Sequence, residues 1–365
     1  MSLLKNLFKP KDEPIKTYGQ FWDWFKDNQK LFYRVVKDKA DIQMFFFSKL
    51  APKLKELREG IFFLTGMCDK NTVELILTPD GALKNIYFIE ELIAAAPQLD
   101  RWRFTALKPA SDIKDTNIKM GGYAFKRDNI RFYAKEHPYQ PDEIDLVVVH
   151  DDYHEDIKST ITNGVYIFLD NFLGELNFAT LIDHLSVTGP AEAKAELIPI
   201  EKLKDFLTWR QSEFIEKYDG LRHDTESDNY SMLKAELENG NPLIATINSD
   251  LLHWDGKASH PWMLHVEITY GNSAENNGMP ENDVSALMAA FEDEMMEQMK
   301  DTDGYLNLAH TTADGARDIY FACKDFRTPA KVMDLLVSKY AGRLKVTFDI
   351  NKDKYWRTLE RLGIV

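Results

Sequence analysis

From Trp262 to Tyr270 the chain alternates: Trp262, Leu264, Val266 and Ile268 on one side, Met263, His265, Glu267 and Thr269 on the other. That is the period of a strand with one buried and one more polar face. Next, Val284, Leu287, Met288, Phe291, Met295 and Met299 fall on one stripe at helical spacing. Tyr305–Thr312 and Arg317–Cys323 read as strands around an Asp314-Gly315 hairpin. Thr328-Pro329 opens a second helix carrying Ala330, Met333, Leu336, Val337 and Tyr340, and Gly342 closes it. Leu344, Val346, Phe348 and Ile350 form a last strand, followed by a short closing helix through Tyr355, Trp356, Leu359 and Leu362. Strand, helix, strand, strand, helix, strand is the split β-α-β, ferredoxin-like order. It predicts a four-stranded antiparallel sheet with both helices on one face. Upstream, Leu243–Ile247 is β-prone and extends the sheet.

The rest of the chain reads similarly. Helices are predicted over 21–36, with Phe21, Trp24, Phe25, Phe32 and Val36 on one side, and over 42–58. Strands at 61–67 and 72–78, a helix at 83–96 and a strand at 102–107 follow. Further strands fall at 118–125, 129–134, 144–149 and 176–187, with helices at 157–173 and 203–218. The apolar run Ile144–Val149 marks a central strand. Without its extra strands this half also reads β-α-β…β-α-β. The fold expected is α+β: two modules of ferredoxin-like character with antiparallel sheets and helices on one face. A polar stretch, Asp219–Ser231, places a boundary near residue 220. The expected parts are a helical segment at 1–60 packing on the first module, an α+β module with linker helix at 61–219, and a C-terminal module at 220–365.

The 365 residues carry 44% hydrophobic residues and a formal charge of −14. That apolar content is ordinary for a globular protein. The negative charge argues against nucleic acid or an anionic membrane as partner. The charge is uneven: residues 1–60 hold 13 Lys/Arg against 8 Asp/Glu. These basic aromatic helices are read as packing on the chain's own acidic body. No stretch reaches the roughly 18 apolar residues that span a bilayer, and the start lacks a secretory apolar core. Only Cys68 and Cys323 are present, both in apolar strand-like runs, so both read as buried and reduced. A cytoplasmic location follows as the expectation.

Three C-terminal blocks carry a resemblance: Asn241–Thr246, His260–Leu264 and Asp314–Phe321. They resemble the bacterial domain-of-unknown-function family 695 over about residues 220–362. Relatives of that family are sometimes joined to a domain like regulator B of ribonuclease E activity, and no such appended domain is expected here. The N-terminal half looks like another uncharacterised bacterial domain, on Glu74–Gly81, Ala95–Phe104 and Leu169–Glu175. Neither resemblance implies catalytic residues or a cofactor.

Candidate chemistry lies in four places. His150, Asp152 and His154, in a loop after a buried strand, are residue types that ligate metals. The plainer reading is a solvated loop whose acids sit near a helix start. His253, Trp254, His260, Trp262 and His265 form an aromatic-histidine group, most simply a tryptophan core with edge histidines. Asp314, Arg317 and Asp318 sit at the hairpin, with Tyr320 beyond, either as a surface ion pair or a binding site. The helix at 281–303 has eight acids and one lysine; Glu292, Asp293 and Glu297 are read as an outward face, solvated or docking a basic partner. No phosphate loop, nucleophile elbow or zinc-protease helix is present. The leading expectation is a non-catalytic protein-binding or regulatory protein without a cofactor, its oligomeric state left open. The alternative is a metal-dependent hydrolase at His150, Asp152 and His154. RNA binding on exposed sheet aromatics is a weaker third reading, given the acidity.

Overall fold

The computed structural model describes residues 14–271 and 276–361. The Lys- and Pro-rich start up to residue 13, part of the loop before Pro280, and Leu362 of the closing helix lie outside the described residues. Two compact units emerge, Met1–Pro109 and Ala110–Val365. The boundary expected near residue 220 falls inside the second unit, after its linker helix.

In the first unit, α1 (Tyr18–Lys37) opens with a capping box: Thr17 and Gln20 satisfy each other's free backbone N–H. A π-helical turn (Gln43–Phe47) leads into α2 (Ser48–Leu57). Strands β1 (Phe62–Met67) and β2 (Val73–Thr78) pair antiparallel, and α3 (Leu83–Ala94) crosses to β3 (Trp102–Ala106), parallel to β2. The helix rings meet this sheet: Trp22 lies 4.6 Å from Phe104 and Phe25 lies 5.0 Å from Trp102. Trp22 Nε1 donates to Leu92 O at 2.7 Å. Cys68, expected to be buried, is exposed just after β1, whereas Cys323 is buried.

The second unit begins with a hairpin, β4 (Ile118–Met120) and β5 (Tyr123–Phe125). A four-stranded sheet follows, from β6 (Ile130–Lys135), β7 (Asp145–His150), β8 (His184–Thr188) and β9 (Ile198–Pro199), in the order β8-β7-β6-β9. All of β7 is buried, as its apolar run predicts. Helix α4 (Lys158–Leu173) lays Ile161, Val165, Phe168 and Phe172 into the core below it. The stretch 176–187, expected as one strand, is instead α5 (Glu175–Leu181) followed by β8. Gly174 makes the break: its φ is +80°, and a Cβ there would lie 2.8 Å from the Ala110 nitrogen. Besides the β4–β5 hairpin, the half before residue 220 builds two larger, separate sheets rather than one. Each contains a parallel pair, β2/β3 and β7/β8, because helical crossovers join those strands. Helix α6 (Leu203–Tyr218) completes this part.

The C-terminal sheet has six strands, all pairs antiparallel. They are β10 (Tyr230–Glu236), β11 (Pro242–Asn248), β12 (Trp262–Thr269), β13 (Tyr305–Ala313), β14 (Ala316–Cys323) and β15 (Lys345–Lys352), ordered β10-β11-β13-β14-β12-β15. Between them run α7 (Ser249–Leu252), α8 (Asn282–Gln298) and α9 (Arg327–Tyr340); α10 (Arg357–Arg361) follows β15. Helices α8 and α9 lie side by side on one face. Phe291 and Tyr340 meet edge-on at 5.0 Å, and Glu294 takes Lys339 and the Tyr340 hydroxyl. The opposite face buries Ala245, Met263, Leu306 and Ala322 against Leu251, Trp356 and Leu359.

Candidate functional site

On α8, Glu292 sits four residues after Met288 and three before Met295, so it belongs to the buried stripe. It is 7% exposed, which corrects the reading of it as part of an outward acidic face. A buried carboxylate needs partners, and β13 and β14 supply them. Its Oε1 accepts from His310 Nδ1 at 2.9 Å and from Asn307 Nδ2 at 3.2 Å. Arg317 Nη1 lies 3.7 Å from Oε2, while Arg317 Nε donates to Thr312 Oγ1 at 3.0 Å. Burial pushes the Glu292 carboxyl up, but the His310 hydrogen bond and charge, then Asn307 and Arg317, outweigh it and hold it below its ordinary value.

Asn307 and His310 are three apart on a strand and would normally point to opposite faces. The pairing of β13 with β14 shifts register between Asn307 and Ala309. This irregularity re-phases the strand and brings both side chains under α8. The sequence carries no periodicity signal for it, so neither residue stood out beforehand. Glu292 itself had a signal: an acid on the Met/Phe stripe.

Above this floor opens a groove of about 410 Å³, lined by Tyr230, Thr246, Asp293, Met296, Asn307 and His310, among others. Register places Thr246 beside His310. His310 Nδ1 is committed to Glu292, and Nε2 has no partner among the described residues. A carboxylate on Nδ1 fixes the orientation of the ring. Asp293, Met296 and Tyr230 form an exposed rim.

Other expected site residues lie elsewhere. Arg317 and Asp318 are neighbours and so point to opposite faces. Asp318 Oδ1 is 2.7 Å from His265 Nε2, and His265 stacks on Tyr320 at 4.8 Å, on the face away from α8. Burial, then Asp318 and Glu267, push the Tyr320 hydroxyl up. Asp314 at the hairpin tip accepts from Asn239 and Asn241. Trp254 packs against His223, His260 and Trp356 as part of the core. His260 is fully buried, and burial, helped by Arg222 and Lys324, holds its ring down to about 4. Glu297 is exposed on the outer side of α8. His150 is fully buried, with Nε2 3.1 Å from Ala124 O and Nδ1 accepting from Asp152 N at 3.1 Å. Asp152 and His154 are exposed. Among the described residues no group of three His, Cys, Asp or Glu is arranged to hold a metal.

A second charged cluster escaped sequence reasoning because its members are far apart in the chain. Asp183 accepts from Ile144 N at 2.7 Å and Lys354 Nζ at 2.8 Å, and Lys352 Nζ lies 2.8 Å from its other oxygen. Glu143 pairs with Arg357 at 2.7 Å, and Asp142 takes Lys217, Tyr218 and Tyr355. These contacts tie the end of β15 and α10 to the loops around β7 and β8. They enclose only about 80 Å³. Burial, opposed by Asp183, brings the Lys352 ammonium down to about 8. The cluster reads as a structural joint.

No helix among the described residues is long and apolar enough to cross a membrane. No curated protein matches the chain, and no solved structure does. The resemblance expected for the C-terminal part is borne out: residues 228–362, which hold the six-stranded sheet and the α8 groove, match the model of a family of unknown function, DUF695.

Proposed function

We propose that this is a cytoplasmic binding protein that takes a segment of another protein into the groove between α8 and the β10–β11 edge. The carrying observation is the groove's floor, where a buried Glu292 holds His310 and Asn307 with His310 Nε2 left open. A rigid polar floor with an apolar wall is the usual make-up of a recognition pocket. The Asp293 carboxylate and the exposed Tyr230 ring suit a basic side chain. Met296 and Ala289 offer its stem apolar contact.

The strand order β15-β12-β14-β13, with α8 and α9 on one face, supports a ferredoxin-like reading of the C-terminal part. That arrangement hosts many functions, so the groove and not the fold carries the proposal. The unpaired thiols, Cys68 on the surface among them, suit a reducing compartment. The hydrolase reading at His150 gains no support, because both its ring nitrogens are already bonded.

The test is native purification of tagged protein from its source cells, comparing wild type with Asp293→Lys and Met296→Asp. A protein that co-purifies with wild type and is lost from both variants, at unchanged melting temperature, is the expected result. The same set of proteins on all three would remove the groove from consideration.

A further inference from the structure

Among the described residues β10 is the outermost strand of its sheet, and β11 is its one paired strand. All seven of its residues are exposed, with Tyr230, Met232 and Leu233 at 54%, 67% and 42%. Soluble proteins guard such edges with bulges, prolines, inward charges or very short strands. Here the register to β11 is unbroken from Tyr230 to Glu236, no proline interrupts it, and Lys234 is its one cation. A free, regular, apolar edge of this kind is a template for another strand.

We propose that the occupant is β10 of a second copy of the chain, paired antiparallel about a two-fold axis at Ala235. The strand's own charges select both partner and register. With the axis at Ala235, Lys234 faces the partner's Glu236 and Glu236 faces the partner's Lys234. Moving the axis to Lys234 sets two lysines against each other. With the axis at Leu233, Lys234 faces the partner's Met232 and Glu236 faces the partner's Tyr230, so neither charge is met. Opposite charges directly across an antiparallel pair are favourable and like charges are not. A two-fold interface requires this self-complementarity.

Packing points to the same register. Leu233 pairs with Ala245, and Ala235 with Leu243, on the face that buries Ala245, Ile247, Met263 and Trp356. With the axis at Ala235, Leu233 stands opposite the partner's Leu237. That contact joins the apolar clusters of the two copies across a short junction, Leu233–Leu237 of each, with the partner's turn at 238–240 lying opposite Tyr230–Met232. The inference needs only β10 and is independent of the groove reading.

Two experiments on the full chain test it, both in a Cys68→Ser background because Cys68 is an exposed thiol. In the first, Ala235→Cys and Ser231→Cys are oxidised with copper phenanthroline. Directly opposed residues in an antiparallel pair lie within disulfide reach, so the Ala235 variant should give a covalent dimer and the Ser231 variant should not. In the second, sedimentation velocity over a concentration series should show a dimer for the parent and a monomer for Leu233→Lys, with unchanged circular dichroism. A parent that stays monomeric throughout overturns the proposal. Equal cross-linking at both positions overturns the register. If Leu233→Lys fails to fold, the cysteine pair still decides.

Discussion

Replacing Glu292 with Gln tests the central feature of the site, a carboxylate buried on the apolar stripe of α8. Gln keeps the size and removes the charge. Its single amide oxygen still accepts from His310 or Asn307, but its NH2 group then faces the donors of Arg317. Hydrogen bonds to charged groups contribute about 1.5–3 kcal/mol each. Relief of carboxylate burial offsets part of that loss, so a destabilisation of about 1.5–3 kcal/mol at neutral pH is expected. For a unit of this size that corresponds to a fall in melting temperature of about 2–4 °C per kcal/mol. The pH dependence has a definite sign. The Glu292 carboxyl lies below its ordinary value in the folded protein, so the unfolded chain binds the proton more tightly. Its contribution is present above the ordinary carboxylate range and is lost as pH falls through the folded value. Urea unfolding of wild type and variant should therefore differ at pH 7 and converge in acid. As controls, Asp293→Asn and Glu297→Gln should each change stability by less than about 0.5 kcal/mol. If Glu292→Gln matches these controls at pH 7, Glu292 is solvated and the outward acidic face is restored.

Two further outcomes follow from packing and charge. Asp183→Asn leaves the Lys352 and Lys354 ammonium groups buried without their counter-charge, and should cost about 3–5 kcal/mol in urea unfolding; a loss below about 1 kcal/mol would mean that water already reaches the pair. Gly164→Ala on α4 would set a Cβ 2.0 Å from Phe125 Cζ, and should destabilise by about 1–3 kcal/mol despite the better helix propensity of Ala; adding Phe125→Leu should recover part of the loss, and no recovery would place the strain elsewhere.

What the sequence made legible depended on whether a segment has one buried face. Strands β12 to β15 and helices α8 and α9 each do, and alternation or helical spacing located all of them. β10 has no buried face, its seven residues being exposed, so no period marked it and the stretch around Tyr230 read as a boundary. The stretch from Leu176 is apolar enough for a strand, but the turn at Gly174 starts a new helix there. Which strands pair in parallel was set by crossover helices, which a run of elements does not reveal. At the site, the hairpin residues Arg317 and Asp318 read as one group in the chain, yet alternation sends them to different faces. His310 and Asn307 reach Glu292 through a register shift, a property of two strands together that neither strand's pattern contains. The ion cluster at Asp183 joins residues about 170 apart, beyond any local signal.

The groove follows from the width of the C-terminal sheet. Neighbouring strands lie about 4.8 Å apart, so six strands make a sheet about 29 Å wide. Two helices side by side, each about 10 Å across, cover about 20 Å. Helix α9 keeps to the β15 side, and α8 lies over β13 and β14, where Glu292 finds His310 and Arg317. The strands at the far side, β10 and β11, therefore project beyond the helices. The step from α8 down to that uncovered ledge is the groove, with Thr246 and Tyr230 on the ledge and Ala289, Asp293 and Met296 on the riser. His310 is at the foot of the step, and its side chain is accordingly about one-quarter exposed: Nδ1 is turned under the helix and Nε2 is left at the opening. A four-stranded sheet under the same helices would have no ledge. The two added strands thus create the recessed site and the free edge together, although the two features engage different chemistry: acceptor atoms and an aromatic ring in the groove, backbone pairing and reciprocal Lys234 and Glu236 charges along β10.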